Sequence, residues 1–238
     1  MVTTLYLIRH GETEGSDTKR YKGSIDVPLS EKGIEQVRRT ANFIKQHHSI
    51  RVSECQSIKN SDTMTLCRFD TVLSAVYCSD LQRATKSAEI IAGQYGLIPI
   101  VNAGFRERNF GAWEGLSFTE IRDKDPAEFE SWAVNPLKFS PPDGESTIEV
   151  KERVITALDN ILSSHPPTHP SPSRGEGKGG GENIAIVAHG GVNRIILCHI
   201  MGIPLENIFR IEQDFAAVNI IEFWEKYPVV KLLNGGVI

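Results

Sequence analysis

The stretch Leu5-Tyr6-Leu7-Ile8-Arg9-His10-Gly11, near the start of the chain, changes abruptly from apolar to polar. Its apolar part is a short continuous run of the kind that predicts a strand buried on both faces. Arg9 and His10 follow directly, and Gly11 begins a loop. The stretch therefore predicts a buried strand with a basic pair at its carboxyl end.

Strand and helix patterns alternate downstream of this strand. Apolar residues at helical spacing predict one helix from Ser30 to about His48 and another from Leu81 to a cap at Gly96. Residues 71–78 are rich in Val, Ala and Tyr and predict a second strand, and residues 98–101 predict a short third strand. This order favours parallel pairing of the strands, with helices as the connections.

The second half continues the alternation. Ser146-Thr147-Ile148-Glu149 forms a capping box that opens a helix, and residues 184–188 are the clearest buried strand, followed by a helix to about Met201. A strand pair is predicted in residues 218–223 and 229–233, and residues 117–142 predict one or two short helices with a covering loop. The fold class is therefore α/β, with a parallel or mixed sheet between helices on both faces.

Two segments interrupt the alternation. Residues 49–70 are polar and have no sustained period, and residues 165–181 are rich in proline and glycine and cannot build a core. A helix precedes the second segment and a core strand follows it. We therefore predict one domain over residues 1–238 with two surface insertions.

Composition narrows the class of protein. The chain has 238 residues and a formal net charge of −4, which gives no basic field for nucleic acid or an anionic membrane. Its four cysteines show no metal-ligand spacing, and no apolar run approaches the roughly 18 residues of a membrane span. No signal peptide is evident at the N-terminus. A cytoplasmic location and a small-molecule partner are the expectation.

Unusual polar side chains follow four predicted strands: Arg9 with His10, then Arg83, Glu107 and His189. Parallel strands open their carboxyl ends on one edge of the sheet, so these side chains are expected to meet there. Arginine forks match phosphate oxygens, a neutral imidazole can attack phosphorus, and a carboxyl can protonate a leaving alcohol. The set suits a phosphoryl group.

Each residue also has a simpler interpretation. The Arg9 and His10 pair could lie on the surface, and His189 could cap a sharp turn. Glu107 lies between two arginines, where a solvated ion pair is usual, and Arg83 could be an exposed residue at a helix start. The joint occurrence at four strand ends favours a site.

The ordered motifs of the chain resemble the histidine phosphatase superfamily, which includes cofactor-dependent phosphoglycerate mutases, fructose-bisphosphatases and α-ribazole phosphatases. The motifs are Leu7 to Thr13, Arg20 to Gly23, Asp26 to Ser30, Ser79 to Ala84, Phe110 to Gly115, Pro142 to Ser146 and Ala188 to Gly191. The resemblance covers almost the whole chain except the two insertions. It implies a three-layer α/β/α fold with a mostly parallel central sheet, as in phosphoglycerate mutases.

The resemblance also implies a division of labour. His10 is the nucleophile that becomes a phosphohistidine, while Arg9, Arg83 and His189 bind and stabilise the phosphoryl group. Glu107 protonates the leaving oxygen and then activates water. Because the arginines and an imidazolium can supply the charge stabilisation, neither a metal nor a cofactor is expected.

Two further contacts to the phosphate are predicted. The helix that starts at Gly190 offers backbone N–H groups and the positive end of a helix dipole. Ser16 stands where many relatives have an asparagine that touches the phosphate, and its hydroxyl can donate only one hydrogen bond. This substitution leaves the affinity for substrate open.

The motifs at 110–115 and 142–146 resemble the phosphatase branch, most closely the α-ribazole phosphatases of cobalamin assembly. A broad-specificity phosphatase, a phosphoglycerate mutase and a non-catalytic phospholigand-binding module are the alternatives. A binding module would need neither His10 nor Glu107, which argues against it. Within the covering segment, Trp132 and Phe139 are candidate substrate contacts or, alternatively, core residues of a lid.

Overall fold

The computed structural model describes residues 3–18, 20–57, 73–165, 182–224 and 227–236, which contain a six-stranded sheet. Its strands are β1 (Thr3–Arg9), β2 (Leu73–Cys78), β3 (Ile100–Val101), β4 (Asn183–Ala188), β5 (Val218–Phe223) and β6 (Pro228–Gly235). Their spatial order is β3-β2-β4-β1-β5-β6. Strands β1 to β4 pair in parallel, and β5 is antiparallel to both β1 and β6. The prediction of a mostly parallel sheet is confirmed.

Helices cover both faces of the sheet. They are α1 (Glu31–Ser57), α2 (Gln82–Gly93), α3 (Phe118–Lys124), α4 (Pro126–Val134), α5 (Thr147–Ser164) and α6 (Gly190–Met201). Helices α1 and α2 pack against one face, and α5 and α6 pack against the other. This confirms the three-layer α/β/α architecture.

The alternation of side chains along β1 shows why the sheet has two cores. Leu5 and Leu7 belong to the cluster shared with α5 and α6, whereas Tyr6 and Ile8 belong to the cluster shared with α1 and α2. All four are fully buried. Successive residues of a strand point to opposite faces, so a continuous apolar run serves both cores. Each such side chain stabilises the fold by roughly 1.5–3 kcal/mol.

Several local predictions are confirmed. Ser146 accepts a hydrogen bond from the backbone N–H of Glu149, whose carboxylate accepts one from the N–H of Ser146, so the capping box that starts α5 is present. The predicted short helices in residues 117–142 are α3 and α4.

In the part of the chain that the structure describes, no helix combines the length and the hydropathy of a membrane span.

Two boundaries differ from the predictions. Helix α1 continues to Ser57, into the segment predicted as the first insertion, because neither proline nor glycine interrupts it after Gly33. Strand β3 comprises only two residues at the sheet edge, against the four predicted. Residues 58–70 and 166–181 of the predicted insertions lie outside the described residues.

Candidate active site

Two histidines meet at the carboxyl edge of the sheet. His10 follows β1 and His189 follows β4, and these strands are direct neighbours in the sheet. Their ring centroids are 5.1 Å apart with an interplanar angle of 63°. Both side chains are buried. The parallel pairing of β1 with β4 therefore brings together two residues that are far apart in the sequence.

The hydrogen bond of His10 determines its tautomer. Nδ1 lies 2.7 Å from the carbonyl oxygen of Gly11, and because a carbonyl can only accept, Nδ1 carries the proton. Burial, with the nearby charges of Arg9 and Arg83, holds the pKa of His10 well below its usual value. The ring is therefore neutral at pH 7, with the lone pair on Nε2 free for nucleophilic attack.

His189 has protein partners at both ring nitrogens. Nδ1 accepts from Nε–H of Arg83 at 3.3 Å, so Nε2 carries the proton that faces Ser79 Oγ at 2.8 Å. Burial, together with His10 and the nearby arginines, holds the pKa of His189 well below its usual value. The structure thus places His189 beside His10, while its role in binding a phosphoryl group stays a prediction.

Arg9 offers a buried donor beside His10. Its guanidinium carbon lies 3.9 Å from the ring centroid of Phe215, and Nη1 donates to the carbonyl of Gln213. Nε–H is buried and has no hydrogen-bond partner among the described residues. Burial lowers the pKa of Arg9 to about 10, so the group stays charged at pH 7. A buried charged donor without an acceptor is suited to bind an anion.

Arg83 is buried and donates hydrogen bonds to the loop at residues 22–25. Besides His189, its guanidinium donates to the carbonyls of Lys22 (3.0 Å), Gly23 (2.7 Å) and Ile25 (2.8 Å). The exposed helix-start interpretation of Arg83 is wrong, because the side chain points into the protein. Its positive charge lies next to both histidines, but most of its donors already have acceptors.

Glu107 lies beside the N-terminus of α6. Its Oε2 accepts from the backbone N–H of Gly191 and its Oε1 from that of Arg108, each at 3.0 Å. Arg106 pairs instead with Asp80, and no ion pair to Glu107 occurs in the described ranges. The solvated ion pair considered for this glutamate is therefore not what the structure shows.

The two glycines that start α6 allow the side chains of Arg9 and Glu107 to approach the helix backbone closely. A Cβ atom on Gly190 would lie 3.3 Å from Nε of Arg9, and one on Gly191 would lie 2.6 Å from Oε1 of Glu107. The second distance is too short for a side chain. Gly191 thus permits the Glu107 contact. Gly190 lies between the Arg9 guanidinium and the N-terminus of α6, and its role as a phosphate contact stays a prediction.

Ser16 is not in direct contact with this group. It starts a short 3₁₀ helix, and its backbone N–H donates to the carbonyl of Thr13 at 3.2 Å. With Phe215, it lines a second cavity of about 420 Å³, and Phe215 also packs against His10 at 5.8 Å between ring centroids. Its contribution to phosphate binding stays a prediction.

A cavity of about 240 Å³ extends from Glu107 and Gly191 toward the covering segment. Its walls are mainly apolar, and its aromatic members are Tyr21, Phe110, Trp113, Trp132 and Phe209. The candidate contact Trp132 lines the cavity. Phe139 does not; it stacks on Trp113 at 5.1 Å, as expected of a lid core residue.

Three residues of the site were not predicted. Ser79, which contacts His189, follows β2 and could have been found by the same strand-end signal. Phe215 precedes β5, and because β5 is antiparallel to β1, its amino end lies at the edge where β1 ends. Arg194 lies one helical turn beyond Gly190 and lines the cavity. Finding these two required the strand direction and the exact start of α6.

The described residues contain no cluster of three or more His, Cys, Asp or Glu side chains able to hold a metal ion. Among the described residues, several basic side chains lie around the pair of histidines, His10 and His189. The electrostatics of this edge are therefore those of a cationic pocket in an acidic protein.

Comparisons with known proteins point to one family. A family model described as the histidine phosphatase superfamily, branch 1, matches residues 5–57 and 67–235. The adenosylcobalamin/alpha-ribazole phosphatase of Escherichia coli is 24% identical over 97% of this chain and 95% of its own. Phosphoserine phosphatase 1 of Hydrogenobacter thermophilus is 26% identical over 97% and 91%. The crystal structure of the alpha-ribazole phosphatase from Shigella flexneri superposes with a TM-score of 0.76 at 23% identity, covering 99% and 98%.

Proposed function

The chain belongs to branch 1 of the histidine phosphatase superfamily and is a phosphatase, and we propose that it hydrolyses phosphomonoesters through a phosphohistidine on His10. In the first step, the lone pair of His10 Nε2 forms a bond to phosphorus and the bond to the ester oxygen breaks. The carboxyl of Glu107 gives its proton to that oxygen. The alcohol leaves, and the phosphoryl group stays on the imidazole.

The second step restores the enzyme. Glu107, now a carboxylate, takes a proton from water as the water oxygen attacks phosphorus. The bond between phosphorus and Nε2 breaks, so inorganic phosphate leaves and His10 regains its lone pair. In both steps, Arg9, Arg83 and His189 are proposed to stabilise the charge on the phosphoryl oxygens, with the backbone N–H groups at Gly190.

The leaving alcohol is proposed to be bulky and at least partly aromatic, as in α-ribazole 5'-phosphate. The supporting observation is the aromatic cavity that begins at Glu107, the group proposed to protonate the leaving oxygen. An alcohol released there would lie between Trp132, Phe110 and Phe209. Relatives named as alpha-ribazole phosphatases support the same substrate, and with it a place in cobalamin assembly. A broad specificity for small phosphomonoesters is compatible with the same cavity.

Arg194 supports a second candidate, a phosphomonoester with an acidic leaving group. Its Nε–H donates to the carbonyl of Ile211 at 2.7 Å, and its side chain lines the cavity. None of the ion pairs found among the described residues involves Arg194. A carboxylate on the substrate could pair with it. A relative named phosphoserine phosphatase 1 is consistent with this alternative.

The two candidates can be separated by measuring kcat/KM for α-ribazole 5'-phosphate, phosphoserine, 3-phosphoglycerate and fructose 2,6-bisphosphate with one preparation. We expect α-ribazole phosphate to give the highest value. Trp132→Ala should lower that value by about tenfold, because the variant removes aromatic contact worth roughly 1–2 kcal/mol. Arg194→Met should lower it less.

The opposite pattern would favour the acidic leaving group. In that case phosphoserine or 3-phosphoglycerate would be the best substrate, and Arg194→Met would remove that advantage while Trp132→Ala would matter little. A mutase would instead convert 3-phosphoglycerate without net release of phosphate.

Removal of divalent metal should leave turnover unchanged. The proposed mechanism assigns the stabilisation of charge to guanidinium and imidazole groups, so kcat with p-nitrophenyl phosphate should be the same before and after dialysis against EDTA. Loss of activity that magnesium restores would contradict this mechanism.

A further inference from the structure

The segment that carries Glu107 has little regular structure of its own. It runs from a three-residue 3₁₀ helix, Ala103–Phe105, to Asn109, and neither it nor the following turn belongs to a strand or an α-helix. A general acid must be held close to the ester oxygen, and a misplacement of about 1 Å can cost on the order of 100-fold in rate. Contacts from outside the segment must therefore position Glu107.

Arg153 on α5 supplies such contacts. Its Nη1 donates to the carbonyls of Gly104 (3.1 Å) and Arg106 (2.6 Å), and Nη2 donates to the carbonyl of Glu107 itself at 3.3 Å. One planar guanidinium thus binds three carbonyls of the segment. The neighbouring residues Val150 and Val154 are buried in the core, so this guanidinium is mounted on a firmly packed helix.

Glu145 binds the guanidinium of Arg153 and also contacts the segment that carries Glu107. Its carboxylate accepts from Arg153 at both oxygens, from Nε at 2.8 Å and from Nη2 at 2.9 Å. Oε2 also accepts from the backbone N–H of Asn109 at 2.8 Å, and the backbone N–H of Glu145 donates to the carbonyl of Asn109 at 2.8 Å. The pair therefore contacts the segment on both sides of Glu107.

The geometry favours a specific function over general stabilisation. The side chains of Arg153 and Glu145 are 25% and 27% exposed, so water screens their pairing only in part. A bidentate arginine fork fixes direction as well as distance, which lysine cannot do. Neither side chain is among those that line the cavity at Glu107, and their hydrogen bonds reach the site through the segment. The charge of Arg153 also contributes to the lowered pKa of His189.

We propose that Arg153 and Glu145 are positioning residues that hold the Glu107 carboxyl against the leaving oxygen of the substrate. The inference rests on the proposed function of Glu107 as the general acid. The motif Pro142-Asp143-Gly144-Glu145-Ser146 would then have a second role besides starting α5, because Glu145 contacts the segment that carries Glu107.

The test uses the leaving group as the readout. Arg153→Met should lower kcat/KM for an alkyl phosphate by about 10–100-fold, as expected for a displaced acid, and that for p-nitrophenyl phosphate by about threefold or less. Arg153→Lys should recover little of the loss, since one ammonium cannot bind the same set of acceptors. Lys151→Met, an exposed residue of the same helix, is the matched control and should change neither value.

A double-mutant cycle distinguishes positioning from a merely structural effect. In a Glu107→Gln background, Arg153→Met should have almost no further effect on alkyl phosphate turnover, because the group that it positions is gone. An undiminished loss in that background would overturn the inference even if Glu107 is the acid. Equal losses on both substrates in Glu107→Gln alone would instead remove the proposed role of Glu107.

Glu145→Gln provides a second variant in case Arg153→Met unfolds. The amide keeps the size of the side chain and one acceptor oxygen but loses the charge. We expect the same selective loss on alkyl phosphates, smaller than for Arg153→Met, with the thermal unfolding midpoint reported for each variant. Selectivity absent from a folded Glu145→Gln variant would also overturn the inference.

Discussion

Replacing His10 with alanine should lower hydrolysis of every phosphomonoester by about 10⁴-fold or more, because no other group can form the phosphoenzyme. In the structure Nδ1–H of the neutral imidazole donates to the Gly11 carbonyl, which leaves the lone pair of Nε2 available for the proposed attack. Neither Arg9 nor His189 can substitute for it: the first stays protonated, and both ring nitrogens of the second have partners.

The phosphoenzyme itself should be visible. Wild-type protein that is quenched during turnover of ³²P-labelled substrate should carry a label that survives alkali, as phosphohistidine does, and His10→Ala should carry none. His199→Ala, an exposed histidine on α6, is the matched control and should label normally. Substantial residual activity in a folded His10→Ala variant would contradict the nucleophile assignment.

The fold could be predicted well where the pattern of apolar residues indicates a single type of secondary structure. The apolar runs in β1 and β4 face a core on both sides, so the runs themselves predicted these strands, and the helical spacing of apolar residues predicted α1, α2 and α5. The end of α1 could not be found in this way. The helical spacing of apolar residues ends near His48, although neither proline nor glycine stops the helix there.

The site was predictable to the extent that it lies at strand ends. His10, Arg83, Glu107 and His189 each follow a strand, and parallel pairing brings the two histidines together. Phe215 was not predictable, because its place depends on the antiparallel direction of β5. The same holds for the contact between Arg153 and the Glu107 segment, which joins residues 46 or more apart in the chain without a local pattern.

Replacing Glu107 with glutamine should lower kcat/KM for an alkyl phosphate by about 10²–10⁴-fold, the range expected for loss of a general acid. The same variant should lower kcat/KM for p-nitrophenyl phosphate by about tenfold or less, because p-nitrophenolate leaves with little need of a proton. Glutamine keeps the size of the side chain and one acceptor oxygen, so one of the two backbone N–H groups, of Arg108 or of Gly191, keeps its acceptor. Glu152→Gln, an exposed change on α5, is the control.

Glu107 is also proposed to activate the water that hydrolyses the phosphohistidine, and this role predicts a second, distinct effect of Glu107→Gln. Phosphoryl transfer to His10 determines kcat/KM when it is irreversible, whereas kcat also includes hydrolysis of the phosphohistidine. Since the amide cannot take a proton from water, Glu107→Gln should release one equivalent of p-nitrophenolate per site in a burst and then turn over slowly. Equal losses of kcat/KM on both substrates would remove Glu107 from the acid role. A selective loss without a burst would leave Glu107 as the acid and require a different base for the water, because the two steps would then depend on different groups.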